Sequence, residues 1–516
     1  MWVGDACLRT GHGFRKRRDN FRMLRKQGAG MLFQFGGTVM IRLRVMIGLL
    51  FVVVAVPFCS VVAAEGPSYF RRNQSVDGGE FALPEQFSAK EQLVWRQEVS
   101  PGISTPCVHG DLVVVTTWDK SKKELATVAL DRVSGRRLWR QVLETARIEK
   151  THSTGSPAVS TPACDGHRIY VFFGSFGLVT YDLDGRELWR KPMGPFQDEF
   201  GASSSPVLVD DLLVLSQDHD IDCFLIAVNP ADGKTVWKTS RQGQTRSYST
   251  PIVWASGSER VLVVAGALKM TAYEIKTGRP LWWVRGLSRI VDTTPVTTLK
   301  RLYIASWTPG GDVSERIVME PFAEALEALD KDNNKKVAKS ELPEGSAVAA
   351  RFFRIDLDQD GELDQAEWQQ HAEVFKNAQN VAMSVRPGGR GDVTRTHVEW
   401  QSREGLPVVP SPALYGGLLY MVKNGGILTS LDAKTGKRTR RGRIPGRGNY
   451  YASLVAGDGK VFACNESGVL SIIKAGKAWS VIGSHDFGEK ILATPVVHGG
   501  RMFIRTESAV YCFGRK

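Results

Sequence analysis

The chain has 516 residues, of which 42% are hydrophobic and 9% aromatic, so it is long and apolar enough to bury a large core. Its formal charge of +13 is unevenly distributed, because residues 1–64 contain ten Lys/Arg and two Asp/Glu, a local charge of +8. The rest of the chain therefore carries a net charge of only +5, which is too little positive charge for a nucleic-acid-binding surface. Composition excludes nucleic acid as a partner.

The first 64 residues have the three parts of a secretory signal. Basic residues within 42–44 precede an apolar run at 45–56, and Val62 with Ala64 suits a small-residue cleavage site. We therefore predict that residues 1–64 contain a signal peptide and that the mature protein is exported, to the periplasm or the extracellular space.

The stretch before this signal is unusual. Thirty-nine residues precede Met40, and we interpret them as an N-terminal extension of the gene model. A retained membrane anchor is the alternative, although about twelve apolar residues are short for crossing a bilayer. Membrane association is expected only if this segment is retained, and residues 65–90 are predicted to be a linker.

A sequence pattern recurs along the rest of the chain: a Ser/Thr-Pro start, a β-rich run, an Asp, a Gly turn and a Trp. The first copy runs from Ser104 to Trp139 and the second from Ser160 to Trp189. Successive complete starts lie about 44 residues apart, the period of a four-stranded propeller blade. Eight starts are present, near residues 105, 161, 205, 250, 294, 411, 452 and 494.

Within one unit, the order of residue types follows strand physics. The run 168–173 is β-branched and aromatic and too short for a buried helix, so we predict a strand. Asp182 and Gly185 predict a tight turn, since such turns need a positive φ or a side chain that bonds its own backbone. Trp189, on the outer strand, is interpreted as a wedge between neighbouring blades.

The two ends of the repeat region are complementary. Residues 93–96 form an orphan outer strand before the first start, and the last unit, 495–513, ends without its Trp strand. We predict that the N-terminal strand completes the final blade and closes the ring, which removes free sheet edges. The predicted fold is an all-β, eight-bladed propeller, with seven blades as the alternative because the unit near 452 is degenerate.

Five cysteines remain after the signal, scattered singly over different repeats. Because they form no C-x-x-C and no adjacent pair, we predict buried strand residues rather than metal ligands or disulfide partners. They are Cys107, Cys164, Cys223, Cys464 and Cys512.

An insert at 318–384 divides the propeller into residues 91–317 and 385–516. It accounts for roughly 73 extra residues between the fifth and sixth starts, and its composition becomes helical. The segments with helical character are 321–329, 348–355 and 364–377. We therefore expect a small α-helical module within the all-β ring.

Between two of these helices lies a full EF-hand loop, 356–367. A calcium ion needs six to eight hard oxygens, and this spacing wraps them round one centre, with Gly361 making the sharp turn at position six. The predicted ligands are Asp356, Asp358, Asp360, Glu362 through its carbonyl, Asp364 directly or through water, and Glu367.

An upstream segment, 330–341, has the spacing of a partner loop. Its turn glycine is replaced by Lys335 and its ninth ligand by Ala338, and four lysines oppose a cation. Weak calcium binding and a purely structural loop are both open at this stage. The candidate ligands are Asp330, Asp332, Asn334, Lys336 through its backbone, and Glu341.

The Thr-Pro, Leu-Asp, Gly and Leu-Trp elements together resemble the pyrroloquinoline-quinone (PQQ)-type propeller repeat, over about residues 91–515 apart from the insert. Within that superfamily the chain looks most like secreted PQQ-like propellers related to the scaffold lipoprotein of the outer-membrane β-barrel assembly machinery. The two acidic segments together resemble an EF-hand pair inserted in the propeller. The resemblance implies either a scaffold or a quinoprotein enzyme.

The first functional hypothesis is a secreted, calcium-binding propeller that is a non-catalytic binding or scaffold module, with no catalytic residues and a protein or polysaccharide partner on one propeller face. The alternative is a PQQ-dependent dehydrogenase that oxidises an alcohol or a sugar, with PQQ in the funnel. Quinoprotein alcohol dehydrogenases that resemble this fold carry a disulfide between adjacent cysteines beside the cofactor, and this chain has no such pair. The sequence identifies no PQQ-binding residues, and calcium is the cofactor we expect.

One further cluster, Asp218-His219-Asp220, has residue types suited to metal binding or acid–base chemistry. It falls where the second strand of its unit turns toward the third. We interpret it as a solvated turn.

Overall fold

The computed structural model describes most of the chain after the predicted signal. The described residues are 65–72, 82–88, 91–198, 200–312, 314 and 316–515. The predicted signal peptide and N-terminal extension, 1–64, lie outside them, as do residues 73–81 and 89–90 of the predicted linker.

The described chain contains eight four-stranded antiparallel blades, which confirms the predicted eight-bladed propeller. The chain enters through strand β1 (Leu93–Glu98) and then forms blades one to four in sequence order. Their strands are β2 (Cys107–His109), β3 (Leu112–Asp119), β4 (Glu124–Asp131) and β5 (Arg137–Leu143); β6 (Ala163–Cys164), β7 (Arg168–Phe173), β8 (Gly177–Asp182) and β9 (Glu187–Pro192); β10 (Val207–Val209), β11 (Leu212–Gln217), β12 (Phe224–Val228) and β13 (Thr235–Ser240); and β14 (Ile252–Ser256), β15 (Glu259–Gly266), β16 (Lys269–Tyr273) and β17 (Pro280–Arg285).

Blade five is interrupted by the insert, and blades six to eight follow it. Blade five consists of β18 (Val296–Thr297), β19 (Leu302–Ser306), β22 (Val381–Val385) and β24 (Val398–Ser402), while β23 (Gly391–Asp392) joins blade four as a fifth strand. The later strands are β25 (Ala413–Tyr415), β26 (Leu418–Lys423), β27 (Ile427–Asp432) and β28 (Arg438–Arg443); β29 (Val455–Gly457), β30 (Lys460–Cys464), β31 (Val469–Lys474) and β32 (Ser480–Asp486); and β33 (Val496–His498), β34 (Arg501–Arg505) and β35 (Ala509–Phe513).

The ring closes as predicted. β1 pairs antiparallel with β35, with Trp95 opposite Cys512, so the N-terminal strand is the outer strand of blade eight. The degenerate unit near 452 is a complete sheet, β29 to β32, so the seven-blade alternative is wrong. Closure gives blade eight the same four-stranded sheet as the other blades.

The Ser/Thr of each repeat start forms a hydrogen-bonded belt between the blades. The backbone N–H of Thr161 donates to Ser205 Oγ over 3.0 Å, and Thr494 N donates to Thr105 Oγ1 over 3.3 Å across the closure. The start near 452 takes part through Ser453, although it lacks a proline. The same link joins Ser205 to Thr250, Thr250 to Thr294, Thr294 to Ser411, Ser411 to Ser453 and Ser453 to Thr494.

The repeated tryptophan is an inter-blade wedge, as predicted. The indole N–H of Trp139 donates to Leu183 O of the next blade over 2.8 Å, and its ring packs under Gly185. Gly185 has a φ of +88°, and a Cβ there would lie 2.6 Å from the indole. The repeat therefore needs glycine both for the left-handed turn and for the close approach of the ring.

The predicted linker is not a free tether where it is described. Ser68 forms an antiparallel bridge with Cys164 of blade two. Leu83 and Phe87 are buried, and the Phe87 ring lies 5.0 Å from that of Phe513. These apolar side chains of the predicted linker are buried because they pack with core residues of blades seven and eight.

The insert folds around a core of its own. Helix α1 (Phe322–Leu329), α2 (Phe352–Ile355) and α3 (Gln365–Asn377) surround a two-stranded sheet of β20 (Val337–Ala338) and β21 (Glu362–Leu363). Two 3-10 turns (Lys339–Glu341 and Ala349–Arg351) lie within the insert, and the short helix α4 (Thr394–His397) follows β23. The predicted insert boundary at 384 falls inside β22, which is the third strand of blade five, so the helical excursion ends before Val381.

The five described cysteines are buried, as predicted, and their thiols are free. Four of them lie on strands, whereas Cys223 precedes β12 in a loop, where its thiol donates to the His219 carbonyl. Among the described residues, no helix combines the length and the apolar character that a bilayer crossing requires.

Candidate functional site

A central funnel of about 480 Å³ opens on one face of the ring. The belt residues line it, from Thr105 in blade one to Thr494 in blade eight. In an antiparallel blade, the connections after the second and fourth strands leave from the same end of the sheet. Those connections supply the remaining walls, and the insert is one of them, because it joins β19 to β22.

The funnel mouth combines aromatic and charged side chains. Tyr248, Arg289 and Asp292 come from the loops before and after blade four. Arg354, on α2, also lines the cavity, so the insert contributes directly to the mouth. This arrangement can receive a polar ligand or a protruding side chain of a partner.

Three carboxyl groups lie close to the mouth, of which Glu149 and Asp198 are buried and Asp292 is half-buried. Burial raises the pKa of Glu149 to about 8 and those of Asp198 and Asp292 to about 7. Asp198 accepts a hydrogen bond from the Tyr248 hydroxyl at 2.7 Å, and Glu149 accepts one from Ala202 N at 3.1 Å. Sequence analysis missed these residues because each lies in a loop without a recognisable motif.

The Asp218-His219-Asp220 cluster is buried, so its interpretation as a solvated turn is wrong. Asp218 receives two hydrogen bonds of 2.6 Å from Arg241, and Asp220 pairs with Arg246. His219 is 3% exposed, and burial lowers its pKa. The arginines lie more than 20 positions along the chain, and blade geometry alone brings them to the aspartates.

In loop 356–367, three of the six predicted ligands come together. Carboxylate oxygens of Asp356, Asp358 and Glu367 all lie within 4.8 Å of one another. Asp356 is 6% exposed, and among the described residues its Oδ1 has no hydrogen-bond partner. A buried anionic oxygen without a partner is costly unless a cation neutralises it. Gly361 has the positive φ, +90°, expected of position six.

The side chains of the other three residues have different partners; the predicted ligand of Glu362 is its backbone carbonyl, which is not part of these contacts. Asp360 and Glu362 form ion pairs with Lys336 of the neighbouring loop, at 2.5 Å and 3.5 Å. Asp364 caps helix α3 by accepting the Glu367 N–H at 2.8 Å. These side chains connect the two loops and begin the helix, rather than joining the cluster.

Loop 330–341 gathers a second trio, Asp330, Asp332 and Glu341, with oxygens within 4.8 Å. The Nδ2 of Asn334, another predicted ligand, donates to Asp332 at 3.2 Å and to Glu362 of the other loop at 2.8 Å. The side chain of Lys336, predicted to contribute only its carbonyl, bridges to the second loop. An apolar contact also links the two loops, since Val337 of β20 pairs with Leu363 of β21.

The acidic loop is physically joined to the funnel wall. Gln197 Nε2, one residue before Asp198, donates to the backbone carbonyl of Leu357, the second residue of the loop. On α3, Phe375 lies against Gly310 of the connection that enters the insert. The cavity-lining Arg354 precedes Asp356 by two residues. The insert and the mouth therefore share a wall.

The described funnel residues do not fit a PQQ site of the quinoprotein dehydrogenase kind. Among the described residues, the groups of three or more clustered acidic or metal-ligating side chains both lie in the insert. Asp292, the carboxyl that lines the funnel, has a pKa raised to about 7 by burial. The described cysteines are separate, free thiols. Among the described residues, the funnel lining thus contains neither a cluster of three carboxylates nor a pair of adjacent cysteines.

The fold and the repeats define the class: this is a PQQ-like β-propeller. The sequence matches the family described as outer membrane protein assembly factor BamB over residues 86–224 and 222–516. The chain belongs to this family. No curated protein is similar enough in sequence to count as a relative.

Solved structures share the fold at low sequence identity. BamB from Moraxella catarrhalis aligns with a TM-score of 0.52 at 12% identity, over 82% of this chain and 99% of that one. The computationally designed Ika8 protein aligns with a TM-score of 0.50 at 8% identity, over 82% of this chain and all of that one, 100%. A europium-containing methanol dehydrogenase reaches a TM-score of 0.49 at 10% identity, over 84% and 96%. Identities this low establish the architecture alone.

Proposed function

We propose that the protein is an exported, non-catalytic binding or scaffold propeller whose helical insert binds calcium through loop 356–367. The observation that carries the calcium site is the buried Oδ1 of Asp356, which has no hydrogen-bond partner among the described residues. A carboxylate oxygen of Asp356 also lies within 4.8 Å of carboxylate oxygens of Asp358 and Glu367. Membership in the family of an assembly factor supports the scaffold role. The partner is a protein or a polysaccharide that contacts one face of the ring.

Calcium coordination would use the carboxylates of Asp356, Asp358 and Glu367, which already lie close together. The EF-hand spacing would add the carbonyl of Glu362. Glu367 now accepts the N–H groups of Leu357 and Asp358, so an incoming cation has to compete with these bonds. Calcium would therefore bind with an affinity on the order of 10⁻⁵–10⁻³ M, as in extracellular modules.

Calorimetric titration with calcium tests this site. Asp356→Ala or Glu367→Gln removes a carboxylate from the cluster and should abolish the binding isotherm. Glu327→Gln on the exposed side of α1 is the matched control, and it should bind calcium like the unaltered protein. Calcium binding that survives both substitutions would refute the site.

The non-catalytic role is tested with the quinone itself. After incubation with PQQ and calcium and removal of unbound cofactor, we expect no quinone absorbance on the protein and no dye-linked oxidation of alcohols or sugars. The supporting observation is the funnel chemistry, which lacks a carboxylate cluster among the described residues. Stoichiometric quinone absorbance together with turnover would replace the scaffold proposal by the dehydrogenase alternative.

A further inference from the structure

The outer strand of blade six is unusually basic. β28 has the sequence Arg-Thr-Arg-Arg-Gly-Arg, and from 434 to 447 the chain carries seven cations and no Asp or Glu. All seven are exposed. They are Lys434, Lys437, Arg438, Arg440, Arg441, Arg443 and Arg447.

One of these arginines occupies the wedge position. Arg440 lies opposite Ser430, as Trp139 lies opposite Ala129 in blade one. Its guanidinium stacks over the ring of Trp479 of the next blade, 4.9 Å from the ring centroid. Blade six thus keeps the contact between blades while replacing an apolar side chain with a cation.

The register collects the remaining strand arginines on the opposite face. Because the strand bulges at Thr439, Arg438, Arg441 and Arg443 share the face away from Arg440. A few charges are enough to protect a sheet edge, as in β13, which carries one lysine. Edge protection alone does not explain four arginines in six residues.

The outer side of β28 is an uncovered sheet edge. The strand pairs with β27, and no other described strand lies along it. Its outward N–H and C=O groups are therefore available to an added strand.

Blade four shows how such an edge is filled. There β23 runs parallel to the outer strand β17, and Val393 N donates to Trp283 O at 3.0 Å. Asp392 of the added segment pairs with Arg285 of the outer strand at 2.8 Å. An extended segment carrying an acid thus adds to the edge of a blade through backbone bonds and an Arg–Asp pair.

We propose that β28 is a docking edge for an extended acidic segment of a partner protein, which adds to blade six as a fifth strand. Side chains of an added strand alternate between faces, so carboxylates at every second position would meet Arg441 and Arg443. On the same face Arg438 already pairs with Glu404, and a partner carboxylate would compete with that ion pair. Guanidinium groups bind carboxylates in a planar, two-pronged geometry. An anionic lipid surface matches the charge but cannot satisfy the strand's N–H and C=O groups.

This inference specifies that the partner of the proposed scaffold presents an extended acidic segment. It therefore rests on the proposed scaffold function. The probe is a fluorescent octapeptide of alternating Val and Asp, measured by anisotropy on the complete exported chain. Comparison peptides replace Asp with Asn, or replace the central Val with Pro, which removes a backbone donor. Phosphatidylglycerol vesicles form a separate arm.

The protein variant is Arg441→Glu with Arg443→Glu, and the matched control is Arg136→Glu with Arg137→Glu at the exposed edge of blade one. We expect the first pair of substitutions to weaken binding of the Val-Asp peptide at least about tenfold, and the control pair to leave its affinity unchanged. Unchanged thermal melting of both variants would show that the exposed substitutions preserve the fold.

Three results would overturn the proposal. The first is that both double variants bind the Val-Asp peptide with equal affinity. The second is that the unaltered protein binds the proline peptide as tightly as the Val-Asp peptide. The third is that the protein binds the vesicles but not the Val-Asp peptide. Calcium binding is measured independently, so an intact calcium isotherm beside a failed peptide assay would reject the docking edge and leave the calcium-binding module standing.

Discussion

The ring and the insert are stabilised in opposite ways. In the ring, uncharged contacts repeat from blade to blade: a hydroxyl belt, an indole wedge and a turn glycine. The insert has one small core and gathers carboxylates from two loops. Repetition spreads stability over many equivalent contacts, whereas a unique module depends on a few residues. Substitutions in the ring should therefore reduce its stability only slightly, except at a contact that occurs once rather than in every blade.

The closure of the ring is such a contact, and breaking it should have the largest effect. A chain of residues 101–516 lacks β1 and should aggregate or melt far below a chain of residues 65–516. Loss of buried Trp95 alone should cost about 3–5 kcal/mol, so Trp95→Ala should reproduce part of the effect. Size-exclusion chromatography and thermal melting measure both changes. A shortened protein that stays monomeric with an unchanged Tm would disprove this role for β1.

The buried carboxyl of Glu149 should make the ring sensitive to pH. Because its pKa is about 8 in the folded protein and 4.5 ordinarily, the folded state keeps a proton that the unfolded chain releases. The free energy of unfolding therefore falls as pH rises through this window, by about 1.4 kcal/mol per pH unit for one proton. Glu149→Gln should flatten the dependence of Tm on pH between 5 and 8.

Asp232→Asn is the control, since this fully exposed carboxyl has its pKa lowered by Lys234. It should leave the slope between pH 5 and 8 unchanged. Parallel profiles for Glu149→Gln and the unaltered protein would show that the carboxyl does not retain its proton.

A repeated contact should give a moderate effect. Gly185→Ala places a Cβ 2.6 Å from the Trp139 ring at a φ of +88°, and crowding of this kind costs about 1–3 kcal/mol. Gly257→Ala also has a positive φ, +59°, but meets nothing within 4 Å. The difference between their denaturant midpoints isolates the wedge contact. Equal losses would assign the whole effect to backbone strain.

Removal of the insert should change the ring least. Joining residue 317 to residue 379 keeps β22, and the remaining ring should unfold cooperatively with a Tm within about 5 °C of the original. Deleting 318–384 instead removes most of β22 and should disrupt blade five. Calorimetry distinguishes the two. Loss of cooperative melting in the shorter deletion would make the insert part of the ring's core.

Much of the ring could be predicted from sequence because its determinants are local and repeated. The spacing of the repeat starts predicted the number of blades. The strand that contains Trp95, which has no partner in its own repeat, predicted that the ring closes through blade eight. The burial of Asp218 and Asp220 could not be predicted in this way, because Arg241 and Arg246 reach them only after the blade has formed. The funnel carboxyls were missed for a related reason, since a pKa depends on burial that no local pattern encodes.

The pairing of β1 with β35 also sets the order in which the chain can finish folding. Arg96 and Tyr511 are 415 positions apart, yet they lie side by side across this pair. As the polypeptide emerges from its N-terminal end, β1 is among the first strands made and among the last to find a neighbour. Until the strand that ends at Phe513 has been made, the ring stays open, and the strands at its two ends have unpaired edges that can bind other chains. Synthesis of β35 is therefore the event that closes the ring, and a chain that stops before β35 keeps an unpaired strand β1.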